Sequence, residues 1–146
     1  MGLKVYDENR LSIADLAGRI VTSHNGSLGE AVDVLLYLRN DNSNYYYNSI
    51  SIQVQDSYTS NDTLGPAGTG WGIKLSPGSR RPTMDEWDVV AWDNVISINP
   101  IGTTAQADTT TYYPFWLRVV VPGNQNSQVK DDMTLVVGAS ERLVGT

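Results

Sequence analysis

Ser49-Ile50-Ser51-Ile52-Gln53-Val54-Gln55 alternates without a break. Ile50, Ile52 and Val54 fall on one side and Ser49, Ser51, Gln53 and Gln55 on the other. That is the two-residue period of a strand with one dry face and one wet face. Working back, Ala31 to Arg39 places Val32, Val34, Leu36 and Leu38 on one face. Asn40-Asp41-Asn42-Ser43-Asn44 then supplies the turn, because Asn, Asp and Ser bond their own backbone and tolerate left-handed conformations.

Working forward, a Gly/Thr/Asn-rich loop over residues 57–70 leads to a short strand carrying Trp71, Ile73 and Leu75. Phe115 to Val121 sets Phe115, Leu117, Val119 and Val121 on one face, between Pro114 and Pro122, which cannot continue a central ladder. Met133 to Val137 gives a last strand, entered through Asp131-Asp132. Leu3 to Tyr6 and Asn94 to Ile98 add two shorter candidates. Two segments read as helical. Ser12 to Ile20 aligns Ile13, Leu16, Ala17 and Ile20 behind Ser12 as N-cap. Pro82 to Trp87 carries a capping box, Thr83 with Glu86, and is expected to plug Trp87 against the end of the sandwich. Strands at even spacing joined by turn-rich loops predict an all-β antiparallel sandwich, with a core built from the inward residues named above. No internal repeat or low-complexity tract divides the chain, which reads as one domain: residues 1–30 as an N-terminal arm and residues 31–146 as the sandwich.

The chain has 146 residues and no cysteine. A domain of that size buries roughly 70% of its unfolded surface, so its core needs no disulfide or metal. A disulfide framework, thiolate zinc sites and a cysteine nucleophile are excluded together. The net charge is -6, and the ten basic residues are scattered, with only Arg80 and Arg81 adjacent. No electropositive stripe suits nucleic acid. No apolar run approaches the ~20 residues of a membrane helix. Met1-Gly2-Leu3-Lys4 opens without a signal-peptide pattern, giving the expectation of assembly in a cytoplasm.

Catalysis is hard to build from these residues. His24 is the single histidine, in a stretch of loop composition, Thr22 to Ser27, with no nucleophile elbow in the chain. Asp85, Glu86, Asp88 and Asp93 could pair as glycosidase carboxylates, against the simpler reading of a capped turn and a solvated loop. Asp41, Asn42, Asn44, Asp56, Asn61 and Asp62 could hold calcium, but they are also ordinary turn formers and lack EF-hand spacing. No catalytic residue, metal or cofactor is expected. Trp71, Trp87, Trp92 and Trp116 could stack on a sugar. Trp116 points away from the inward face of its strand, as do its neighbour Val120 and, on the earlier strand, Leu35 and Tyr37. Either a loop or the N-terminal segment covers them, or they meet a carbohydrate or another subunit. A second face this apolar favours protein packing. Leu11, Ile13, Leu16 and Ile20 form a further apolar set that the sandwich pattern does not use. These eight residues are the candidate subunit interface.

Val34 to Asp41 followed by Tyr45 to Ile52, and Pro114 to Pro122 followed by Asp131 to Val137, together resemble the central and closing strands of immunoglobulin-like sandwiches. With the Trp71 to Leu75 strand and the Pro82 to Trp87 turn between them, the arrangement is similar to small structural proteins of tailed-bacteriophage virions, most of all capsid decoration proteins. The resemblance covers residues 31–137 and rests on pattern. It implies an immunoglobulin-like sandwich acting as a non-enzymatic capsid decoration or cement subunit. Its partners would be other virion proteins, such as a major capsid or tail protein, and further copies of itself, with no nucleic acid and no membrane. The alternatives are a neck, tail or baseplate component, or a carbohydrate- or calcium-binding module.

Overall fold

The computed structural model describes residues 2–13, 19–24, 31–56, 72–120 and 128–146; for residues 19–24, 55–56 and 128–133 it is the backbone that is described. In order these carry β1 (Leu3–Tyr6), β2 (Arg19–His24), β3 (Ala31–Asn40), β4 (Tyr45–Asp56), β5 (Gly72–Pro77), α1 (Met84–Asp88), β6 (Ile96–Ile98), β7 (Tyr113–Val120) and β8 (Gln128–Leu143). The strands form two antiparallel sheets, β1-β3-β7-β5 and β2-β8-β4-β6.

The expected alternation holds where it matters most. Ile50, Ile52 and Val54 of β4 are buried, and so are Leu36 and Leu38 of β3 and Phe115, Leu117 and Val119 of β7. Ile73 and Leu75 from β5 and Ile96 and Ile98 from β6 join the same core, as do Leu3, Ile13, Tyr47 and Ile101. Val34 is half-buried against this core and Val32 is half-buried; Val121 lies outside the described residues. At one end Asn40, fully buried, stitches the β3–β4 turn: its Nδ2 donates to the carbonyls of Asn42 and Tyr45, and its Oδ1 accepts from the Asn42 amide at 2.8 Å.

Several expectations are corrected. Arg19 and Ile20 are not helical but open β2, paired with Thr134 and Met133 of β8, and Ser12 forms a bridge with Tyr6. Apolar residues at positions 13, 16 and 20 fit a helix period, but the unsatisfied ladder of β8 offers this segment a partner, and tertiary pairing overrides a short local period. His24, read as loop, ends the same strand opposite Gln128. Asp131 and Asp132 do not precede the last strand but lie within β8, which starts at Gln128 and runs for 16 residues. Trp87 does not plug the sandwich end. It is buried beneath α1 against the outside of the first sheet, where the Arg118 guanidinium lies 5.3 Å from its ring centre. The capping box itself forms as read, Thr83 with Glu86.

The pairing is also unlike the immunoglobulin order, whose sheets ABED and CFG place consecutive strands side by side. Among the described residues no two consecutive strands are neighbours, and each strand lies in the other sheet from the strand before it. The pairs β2·β8, β3·β7 and β4·β6 nest inside one another around β5, as in one long antiparallel ribbon folded across both sheets. The first residues of the chain supply one edge strand to each sheet, β1 beside β3 and β2 beside β8.

Candidate interaction face

The register sorts the outside of the first sheet into rows. Val120 stands between Ala31 and Gly72; Arg118 between Asp33 and Lys74; Trp116 between Leu35 and Ser76; and Pro114 beside Tyr37, which faces Tyr6 on its other side. Leu35, Tyr37, Trp116 and Val120 therefore share one face, as their alternation required. All four are half-buried, and the chain itself supplies much of the cover.

Residues 79–94 lie as a strap over the far rows. A Cβ on Gly72 would run into the Trp92 ring, so glycine is what lets that indole settle on the sheet beside Val120. The Lys74 ammonium sits 4.2 Å from the centre of the same ring and donates to the Trp87 carbonyl at 2.8 Å. Burial, and then the neighbouring Arg118 charge, push the Lys74 pKa down against the pull of Asp88. The Asp33 side chain is fully buried. It accepts from Arg118 at 2.7 and 3.1 Å and from Arg81, in the strap, at 2.8 Å. Burial pushes its carboxyl up, but the bonds and charges of the two arginines outweigh it and hold the carboxyl below the ordinary range. Trp116 Nε1 donates to the Ser79 carbonyl at 3.2 Å. Asn94 ends the strap by closing the β5 edge: its side chain accepts from the Leu75 amide and donates to the Leu75 carbonyl, both at 2.8 Å, while the Asp93 amide donates to Ile73. An amide side chain in the place of a further strand keeps that edge from pairing with another chain. Gly72→Ala is expected to lift Trp92 from the sheet, lowering stability by about 1–3 kcal/mol, read as a shift in denaturation midpoint and in tryptophan emission.

The near rows end in a cluster of tyrosines and arginines. Tyr112 meets Tyr6 and Tyr37 edge-on, at 5.5 and 5.7 Å between ring centres. The Arg39 guanidinium lies 4.9 Å from the Tyr112 ring, donates to the Tyr112 hydroxyl at 3.0 Å and to the Thr109 carbonyl at 2.9 Å, and stands 3.7 Å from Asp41. Tyr6 donates its hydroxyl to Asp41; burial and that bond push its pKa up to about 12. Arg10 completes the cluster, its guanidinium 4.6 Å from the Tyr112 ring and 5.9 Å from that of Tyr37. It is delivered by a tight turn in which the Asp7 carboxylate accepts from the amides of Asn9 and Leu11 and Arg10 takes a positive φ of 62°.

Of the other predicted interface residues, Leu11 is 60% exposed beside Arg10. Ile13 is buried as a member of the core cluster, because the turn folds the chain back along β1. Leu16 and the Ile20 side chain lie outside the described residues. The sequence reading missed Arg10, Asp33 and Arg118. The latter two had a signal, since each is a lone charge inside an apolar strand.

Asp41 is committed to Tyr6, Lys4 and Arg39, and Asn42 Oδ1 to the Asn44 amide, so this half of the suggested calcium set works as turn and cluster chemistry. Asn61, Asp62 and the Asp56 side chain lie outside the described residues, and so does Trp71. Among the described residues no group of three or more His, Cys, Asp or Glu is arranged to hold a metal ion. Trp87, within the strap, is buried, while Trp92 of the strap lies against Gly72 and Lys74 and Trp116 donates to Ser79. A comparison with protein families finds no family model that matches the chain, and comparisons with curated proteins and with solved structures find no match either.

Proposed function

We propose that this chain is a non-enzymatic structural subunit of a tailed-phage virion, acting as a capsid decoration or cement protein through the outer face of its first sheet. The observation that carries the reading is the composition of that face. Tyrosine, tryptophan and arginine are the residues that dominate contacts between proteins; here Tyr6, Tyr37, Trp116 and Arg39 stand on the outer face of one sheet with Leu35, and Arg10 and Tyr112 pack against its tyrosines from flanking segments. Aromatic rings held edge to edge and cations held over rings lose little freedom on binding, so the face is preorganised. The nested strand pairing supports the same reading. A ribbon folded across two sheets is the connectivity of a jelly roll, an architecture that viral capsid domains share with lectins and cupins. It takes the place of the immunoglobulin-like order implied by the sequence resemblance.

The test is compositional. Phage particles from a host that makes this protein are banded in a density gradient and their proteins identified by mass spectrometry. The chain is expected in the particle band at a fixed ratio to the major capsid protein. A chain confined to the particle-free fractions overturns the proposal.

A further inference from the structure

We infer that Arg10 is the anchoring contact of this face and takes a carboxylate of the partner protein, an Asp or Glu side chain that stands beside an apolar one. This rests on the reading of the chain as an assembly subunit and names the chemistry of the surface it docks on.

The other arginines on or over the face are spent within the chain. Arg39 donates to Thr109 and Tyr112, Arg118 and Arg81 to Asp33, and Arg80 to Glu86. Arg10 is exposed, and among the described residues its guanidinium has no hydrogen-bond or ion-pair partner. The carboxylates of the same cluster are turned elsewhere: Asp7 accepts from the amides of Asn9 and Leu11, and Asp41 serves Tyr6, Lys4 and Arg39.

What holds Arg10 is a pair of rings and a turn rather than a counter-charge. Its guanidinium lies 4.6 Å from the centre of the Tyr112 ring and 5.9 Å from that of Tyr37. Its backbone sits in a left-handed conformation that non-glycine residues seldom take, fixed by the Asp7 turn. Contacts with ring faces satisfy none of its N–H donors. The planar fork therefore stays open, in a fixed place, for a two-oxygen acceptor, and little freedom is left to lose when one arrives.

The surroundings choose among acceptors. Asp7 and Glu8 lie in the same turn, Asp41 lies in the cluster, and the chain as a whole carries a net charge of -6. A polyanion such as nucleic acid would bring its further charges against these carboxylates, whereas a single carboxylate meets only the fork. An ion pair open to water adds little to binding. Here Leu11, 60% exposed, stands next to Arg10, and Tyr37 and Tyr112 lie beneath it. An apolar side chain of the partner laid on Leu11 would close that border and keep water from the pair, the arrangement in which interface arginines carry large shares of the binding energy. A protein surface supplies both groups at once; a free small anion supplies one.

Cosedimentation of the intact chain with phage particles made without it tests this, for the wild type, Arg10→Gln and Arg10→Lys. Circular dichroism checks that each variant is folded, and Arg10→Lys carries the comparison if Arg10→Gln is not. The wild type is expected to bind saturably and more weakly as salt is added. Arg10→Gln is expected to raise the apparent dissociation constant at least about tenfold, the scale of one lost charge-assisted contact. Arg10→Lys, which keeps the charge but not the fork, should fall between. A second arm converts the surface carboxylates of the particles to amides with carbodiimide and methylamine, with electron microscopy to show the particles intact. Amidation should weaken the wild type by a factor similar to that of Arg10→Gln, and should leave the binding of Arg10→Gln within a few-fold. Variants that bind like the wild type overturn the anchoring role and leave the virion reading standing. Amidation that weakens wild type and Arg10→Gln equally overturns the carboxylate. A wild type that binds no particles overturns the virion reading together with this one.

Discussion

Asp33→Ala is expected to destabilise the fold by about 3–5 kcal/mol, because it leaves a buried cation without its counter-charge. Arg118 is 8% exposed and Lys74 only 6%, and Asp33 is the carboxylate bonded to Arg118, so its removal sets two buried positive charges side by side. Against a total stability of about 5–15 kcal/mol for a domain, such a loss is large. Equilibrium urea unfolding measures it. Replacing Asp33 and Arg118 together by apolar residues of similar volume should cost far less than either single change, since no charge is then orphaned. The pH dependence follows from the same pair. The folded carboxyl lies below its unfolded value, so the contribution is fully present above the unfolded pKa of about 3.9 and is lost as pH falls through the lower folded value. Acid titration of the wild type should show this loss; Asp33→Ala should show less of it. A variant as stable as the wild type would mean that the Asp33–Arg118–Arg81 group does not hold the strap.

Phe115→Ala is expected to cost about 3–5 kcal/mol, the range for removing a fully enclosed aromatic side chain. Phe115 is 0% exposed and pairs across the sheet with Leu36, itself 1% exposed. The more discriminating comparison is between adjacent residues. Leu36→Ala should cost about 2–5 kcal/mol, while Leu35→Ala, one residue away on the half-buried outer face, should cost a fraction of that. A one-residue slip in β3 would exchange the two results, so the pair of measurements tests the register directly. Equal losses at both positions would contradict the assignment of inner and outer faces.

How much of this could be read from the chain alone depends on the range of the interaction. β3, β4 and β7 were legible because each writes its burial into strict alternation, and the capping box at Thr83 and Glu86 was legible because its partners are three residues apart. β2 was not. Its residues are short in number, mixed in polarity and preceded by apolar positions that also suit a helix, and its partner β8 is more than a hundred residues away. The strand order was hidden for the same reason: alternation says that a strand has a dry face, but not which strand lies beside it. On the site, the outward placement of Leu35, Tyr37, Trp116 and Val120 was a correct consequence of alternation. The cover over them was not readable, since Trp92 reaches Gly72 and Arg10 reaches Tyr112 only through the folded chain. Asp33 and Arg118 could have been paired in advance as lone opposite charges in two apolar strands. Arg10 left a fainter mark, in an Asp7 placed to fix a turn.

The nested pairing also governs when the protein can fold at all. β8 is the inner strand that joins β2 to β4, yet it comes after all seven other strands in the chain. Until it has left the ribosome, β2 and β4 have no shared neighbour and the second sheet cannot close over Ile50 and Ile52. Synthesis of the first hundred or so residues thus yields a nascent chain with exposed strand edges, the species most open to aggregation and to chaperone capture. Contacts this distant in sequence belong to folds that form in milliseconds to seconds rather than microseconds. A stop codon just before Gln128 would therefore not trim the molecule; it would release a chain with half its architecture unable to assemble.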